Sequence, residues 1–171
     1  LDLEPQRFQV EWHDHCSAHA RLVLFAPLEH GKSTQISVVR PLWMFGKNPD
    51  LRGAIISNTE GQAKKWMGQI KANILTNPRY REVFPGVQPE DRKGYNQLWH
   101  DTAIILRRSE RAALQEKDPS LQALGIGKAF LGARLDFAIL DDVLDWDNTR
   151  TKTNREAVID WFFSTLLGRI V

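Results

Sequence analysis

Apolar and polar positions along the chain switch between two periods, and each switch marks the edge of an expected element. Residues 22–25 (LVLF) form a short apolar run of the kind buried in a parallel sheet, so they read as a strand. From Lys32 toward Trp43 the spacing is helical, with Pro41 ending or kinking the helix. Residues 52–57 read as the next strand. Thr59 then takes the form of an N-cap with Gln62 three residues on, and Ala63, Trp66, Met67, Ile70 and Ile74 recur at helical spacing as a core stripe. Asn77-Pro78 breaks that helix, and residues 85–94 read as a loop leading into a hairpin, 97–99 with 103–106, turned at His100-Asp101. A further strand is expected within residues 121–131, near the glycines Gly125, Gly127 and Gly132, and another at 137–140. Residues 153–167 predict a closing helix with Val158, Ile159, Phe162, Phe163, Leu166 and Leu167 on its buried side. Strand-like and helix-like segments alternate, which predicts an α/β fold with a mostly parallel central sheet flanked by helices. The chain shows no internal repeat and no low-complexity tract.

Two phrases carry candidate chemistry. APLEHGKST, residues 26–34, follows the first apolar run and precedes a helical pattern, as a phosphate-binding loop does. Backbone N–H groups at a helix N-terminus can surround the oxygens of a triphosphate without a side chain for each. Ala26, Pro27, Leu28, Glu29, His30 and Gly31 form the loop; Gly31 allows close approach of the main chain, Lys32 places a point charge between the outer phosphates, and the Ser33 hydroxyl suits Mg²⁺. Thr34 packs or caps rather than touching metal. The strict pattern GxxxxGK[ST] fails at its first position, where Ala26 stands. In the second phrase, LDFAILDD, two carboxylates stand where the apolar run 137–140 ends, and open α/β sheets bind ligands at the carboxyl ends of their strands. Asp141 is therefore the candidate for the Mg²⁺ shell, and Asp142 the candidate to orient or deprotonate an attacking water. Alternatively Asp142 caps the next turn, as the further acids Asp145 and Asp147 allow.

The order of Pro5-Gln6, APxxHGKST, a Gly-rich segment ending GARLDFAILDD, and DNTRTKTNREAVIDWF resembles the ATPase domain of phage large terminase subunits, which are DNA-packaging motors. The resemblance runs from about Leu3 to Ile170 and is most specific between Gly125 and Trp161. It implies a RecA-like P-loop core, hydrolysis of ATP with Mg²⁺, and double-stranded DNA as the moved substrate. As partners it implies a portal protein, a small terminase subunit and a homo-oligomeric ring on the procapsid, in the host cytoplasm. Residue by residue, it gives Gln6 the reading of adenine, Lys32 and Ser33 the Walker A role, and Asp141 the metal-positioning Walker B role. Asp142 stands where many relatives carry a glutamate that reaches one methylene further. Arg134 lies where some relatives place an arginine acting on a neighbouring subunit's ATP, and a surface or ion-pair arginine is the alternative. Relatives often carry an arginine within the phosphate loop, whereas this chain reads Leu28, Glu29, His30, with an acid close to the expected phosphates. In such motors a further strand inserts between the acidic strand and the phosphate-loop strand. Since the sequence stops at Val171, before such a strand is expected to begin, and Leu1 is not an initiator methionine, the chain is expected to be a partial motor core without the downstream nuclease domain.

Composition narrows the classes without choosing among them. The 171 residues, 42% hydrophobic and 26% charged, suit one domain with a real core. A formal net charge of +2 gives no global electrostatic case for nucleic acid, so DNA contact must come from local patches such as Lys64, Lys65, Lys71, Arg79 and Arg81 around Tyr80, whose default role is a solvated face. The single Cys16 excludes an internal disulfide. No apolar run approaches the ~20 residues that span a bilayer. His13, His15, Cys16 and His19 cannot converge tetrahedrally from one short helix and read as a polar face near the adenine pocket. The tryptophans Trp43, Trp66 and Trp161 fall on apolar stripes and read as core. Three function classes stay open: a packaging ATPase, another nucleic-acid-dependent ATPase of helicase-like kind, and a non-catalytic nucleotide-binding or assembly module.

Overall fold

The strand β1 (Gly53–Ser57) organises the molecule, because every one of its five residues is buried and each of its edges pairs with another strand. In the computed structural model, which describes residues 4–131 and 134–171, the sheet has four strands in the order β2-β3-β1-β4. Here β2 is Ala103–Ile104, β3 is Leu121–Gly125 and β4 is Phe137–Asp141. β3 and β4 run parallel to β1, while β2 runs antiparallel to β3, so the sheet is mixed rather than wholly parallel. Gly132, one of the glycines expected around the third strand, lies outside the described residues.

Alternation along β1 separates two cores, as a period of two requires. Ile55 faces one side, with Val38, Leu42, Phe45, Met67, Ile70 and Leu121. Ala54 and Ile56 face the other, with Leu124, Phe130, Leu135, Trp161 and Leu166. The first side is covered by α2 (Arg40–Lys47) and by α3 (Glu60–Thr76), whose buried Ala63, Met67, Ile70 and Ile74 are members of the expected stripe. Trp66 packs half-buried beside them. Thr59 caps α3 as its sequence implies, its Oγ1 accepting from the Gln62 N–H at 3.3 Å. The Asn77 side chain ends that helix by capping α4 (Pro78–Val83), accepting from the Tyr80 N–H at 3.2 Å.

Two helices change pitch where the sequence suggested uniform α-helix. Helical backbone begins at Lys32, widens into a π-helical turn over Thr34–Val39, and continues as α2 to Lys47, past Pro41. Pro41 stands just after the π-helical turn, where the hydrogen-bond ladder already changes register, and the run continues past it to Lys47. After α5 (Glu110–Gln115), α6 (Trp146–Thr149) and α7 (Lys152–Asp160), a second π-helical turn spans Trp161–Leu166. Its wider turn buries Trp161 and Leu166, five residues apart, and leaves Ile159 and Phe163 exposed, against the 3.6-residue expectation. Trp161 stacks on Phe130 with ring centroids 6.2 Å apart, and its indole N–H donates to the Lys128 carbonyl. Trp43, expected in the core, is instead part-exposed beneath the Arg40 guanidinium at 4.8 Å.

Residues 22–25 are not a strand. They run as irregular chain outside the sheet, with Val23 76% and Phe25 92% exposed, because an apolar run becomes a strand only when an edge accepts its backbone. Leu135, two residues ahead of β4, meets the segment around Ile170 instead. A 3-10 turn, Leu167–Arg169, brings Ile170 into a parallel bridge with Leu135, with the Leu135 N–H donating to the Arg169 carbonyl at 2.7 Å and the Val171 N–H to that of Leu135 at 3.0 Å. The hairpin at 97–106 is also slighter than its pattern suggests, reduced to β2 and a single bridge from Trp99 to Ile104. No helix among the described residues is long and apolar enough to cross a membrane.

Gly125, at the end of β3, is needed for close packing: a Cβ there would stand 2.8 Å from the backbone nitrogen of Glu60. Gly125→Ala is expected to push the start of α3 off the sheet and cost about 1–3 kcal/mol, read from the midpoint shift in urea unfolding.

Candidate functional site

The site forms where β4 ends and the helical run from Lys32 begins. Parallel pairing sets Asp141 level with Ser57 and ends the strand there, so Asp141 is buried while the next side chain, Asp142, turns outward. Asp142 adopts φ +47, a left-handed conformation that aspartate tolerates better than most residues. From the other direction, the loop approaches with Glu29 at φ +62 and Gly31 at φ +74, and the Gln35 N–H donating to the Gly31 carbonyl at 2.9 Å opens the helix.

Two contacts join these segments across more than a hundred residues. The Ser33 hydroxyl donates to Asp141 Oδ1 at 3.0 Å, and the Lys32 ammonium donates to Asp142 Oδ1 at 3.0 Å. Asp142 is mostly open to solvent, its side chain 73% exposed, while Lys32 is partly covered at 30%, so the pair is screened from one side and adds modest stability. The serine and Asp141 are drier. Burial raises the Asp141 carboxyl above the ordinary carboxylate value, the Asp142 charge adds to the rise, and the Ser33 hydroxyl, Lys32 and the Ser37 hydroxyl oppose it.

The remaining expected site residues lie around this centre to different degrees. Gln6 stands ahead of α1 (Arg7–Ala18), and its backbone N–H donates to Gln9 Oε1 at 3.0 Å. Helix α1 buries no side chain, and polar contacts hold it against the loop: Gln9 Nε2 donates to the His30 carbonyl at 3.0 Å, His13 Nε2 bonds Gln35 Oε1 at 3.1 Å, and Arg40 donates to the His13 carbonyl and to Ser17 Oγ. Phe8 lies beside the His30 ring at 5.7 Å. Leu28, Glu29 and His30 are exposed at the loop tip, beside exposed Pro27 and half-buried Ala26, and Thr34 opens the π-helical turn. Asp142 does not cap the following turn. Asp145 does that, accepting from the Asn148 N–H at 2.8 Å.

Arg134 is not at this site. It precedes β4, at the other end of the sheet, where its backbone N–H donates to Asp118 Oδ2 at 3.2 Å. At about 3.3 Å per residue, β4 separates it from Asp142 by roughly 20 Å, so it is out of reach of Lys32 in the same chain. It shares a cleft with Arg52, Glu116 and Asp136. There the Arg52 guanidinium bonds Asp136 through both carboxylate oxygens and reaches Glu116 at 2.8 Å, tying β1 to β4 at their starts.

A Mg²⁺ ion is a hard cation that takes few protein oxygens and keeps several waters. One serine hydroxyl beside one buried carboxylate, next to the loop of residues 26–31, fits that requirement. Three or more His, Cys, Asp or Glu side chains grouped to hold a metal are not found among the described residues, and the His13, His15, Cys16, His19 segment makes no such cluster. Within the basic stretch Lys64 pairs with Glu60 and Lys71 with Asp101.

The sequence reading passed over Asn58, Ser37 and Ser57. Asn58 follows β1 as Asp141 ends β4, and its side-chain amide donates to Asp145 Oδ2 at 3.1 Å, tying the two strand ends together. A polar residue closing an apolar run was the signal, and it is the signal that drew attention to Asp141.

No protein-family model matches the chain, and comparison with curated proteins finds no matching relative. The resemblance to large terminases therefore rests on the motifs themselves.

The raised Asp141 carboxyl fixes a sign. A carboxyl whose folded value lies above its unfolded value of about 3.9 lowers stability as pH rises through that interval, and the deficit is fully present above the folded value. Asp141→Asn is expected to raise the thermal midpoint of the ligand-free protein at pH 7 and to lose that gain below about pH 4, as followed by circular dichroism.

Proposed function

We propose that the chain is the ATP-hydrolysing motor domain of a viral large terminase, with a RecA-like P-loop core that drives double-stranded DNA into procapsids. The observation that carries the reading is the meeting of Lys32 with Asp142 and of Ser33 with Asp141, two adjacent contacts between segments far apart in sequence. Chance seldom aligns a GKS segment at a helix start with two acids at a strand end.

In this reading the loop N–H groups and Lys32 bind the triphosphate, and Lys32 leaves Asp142 for the outer phosphates as the nucleotide enters. Ser33 and Asp141 would hold Mg²⁺, which would supply charge neutralisation for the outer phosphates. Asp142, freed and exposed, accepts a proton from the attacking water or orients it. Its short side chain requires the water to sit closer than a glutamate would. Gln6, ahead of α1, contacts the adenine edge, and the exposed Glu29 points its charge to solvent. Arg134, remote from its own chain's loop, would act only on the nucleotide of a neighbouring subunit in a ring. Portal protein and small terminase subunit are the partners this reading implies.

A second reading has its own support. Residues 22–25 lie outside the sheet and Ala26 replaces the first loop glycine, which suits a module that binds nucleotide without turning it over.

Steady-state ATPase assays, with and without double-stranded DNA, separate the two. Turnover stimulated by DNA and reduced at least a hundredfold in Lys32→Ala is the expected result. Nucleotide binding without turnover in the wild type would favour the second reading, and no binding at all would remove both.

A further inference from the structure

Two buried hydroxyls lie close in the fold to the candidate metal carboxylate. Ser37 and Ser57 are both fully buried, and neither Oγ has a hydrogen-bond partner of normal geometry among the described residues. Such a hydroxyl is a cost to the fold, and alanine would fill either position without it. Their placement is common to one target. Ser57 stands level with Asp141 in the parallel register, and residues paired in this way project to the same face of a sheet. That face is the one on which Ile55 meets Val38, the side covered by the π-helical turn. Ser37 lies on that turn, four residues after Ser33, about one helical turn along from the hydroxyl that bonds Asp141. The Asp141 carboxylate has about four lone-pair sites, and Ser33 occupies one at 3.0 Å.

Resting on the nucleotide reading above, we infer that Ser37 and Ser57 are positioning residues, whose hydroxyls close on Asp141 from the helix and from β1 and hold its carboxylate turned toward Ser33. Neither serine touches nucleotide. Their unpartnered state is a cost of folding that is recovered when the carboxylate is fixed for a divalent cation.

The test uses the full chain with a non-hydrolysable ATP analogue and Mn²⁺ as the ion, whose bound fraction is read directly by electron paramagnetic resonance. Wild type is expected to bind Mn²⁺ with the analogue, and Asp141→Asn to lose it. Ser57→Ala and Ser37→Ala are expected to bind the analogue as wild type without metal, yet to bind Mn²⁺ about tenfold or more weakly. Their thermal midpoints should stay level or rise, because each loses an unpartnered hydroxyl. Ser37→Ala on the helix serves as the independent variant should Ser57→Ala fail to fold. Unchanged Mn²⁺ affinity in the folded variants would overturn this inference and leave the nucleotide reading intact. Absence of Mn²⁺ binding by the wild type, with the analogue present, would overturn both.

Discussion

Everything at the candidate site depends on the parallel pairing of β1 with β4. That register buries Asp141 at the last position of a strand, where the sheet gives out and the helical run from Lys32 comes into reach. A shift of one residue would turn Asp141 to the opposite face, toward Trp161 and Leu166, and Ser33 would face an apolar side chain instead. The register is held at its far end by Arg52, which joins the start of β1 to Asp136 just before β4. Burial alone would raise the Asp136 carboxyl, but the hydrogen bonds and charge of Arg52 outweigh it and hold the group below the ordinary carboxylate value. One end of the strand pair is thus fixed by a satisfied ion pair, and the other presents a carboxylate that burial makes costly to ionise.

That contrast suits a site that must respond to a ligand. The Lys32 and Asp142 pair is open to solvent on its acidic side, so it orders the loop without locking it. Ser33 and Asp141 are dry and close, so they keep their geometry before any ligand arrives. Preorganised groups lie deep and exchangeable ones lie at the rim, the order in which an entering polyanion would meet them in reverse.

Much of this was legible in the sequence, and the failures share a cause. β1, α3 with its Thr59 cap, and β4 with its terminal acids follow from local patterns that are complete in themselves: a period, a cap, a polar stop. That the Lys32–Ser33 segment and the acidic end of β4 lie together was also readable, because strand ends and helix starts share one side of an α/β sheet, but the direct pair of Lys32 with Asp142 was not. Residues 22–25 misled because apolar character states a need for burial but does not supply an edge to pair with. The exposed Phe163 and Ile159 misled because a π-helical turn adds a residue to the repeat, and no single substitution announces it. Ser37 and Ser57 passed unnoticed because buried serine within a helix or strand has no pattern of its own.

Helix α1 leads to a last consequence. Since it contributes nothing to either apolar cluster and is held by a handful of polar contacts to the loop and to Arg40, it can lift from the surface while both clusters stay closed. Amide protons along residues 7–18 would then exchange through a local opening of low free energy, independent of denaturant, whereas those of β1 would exchange only when the whole molecule unfolds. The hinge of the loop and the stability of the domain are in this sense separate properties, and selection could tune the first without disturbing the second.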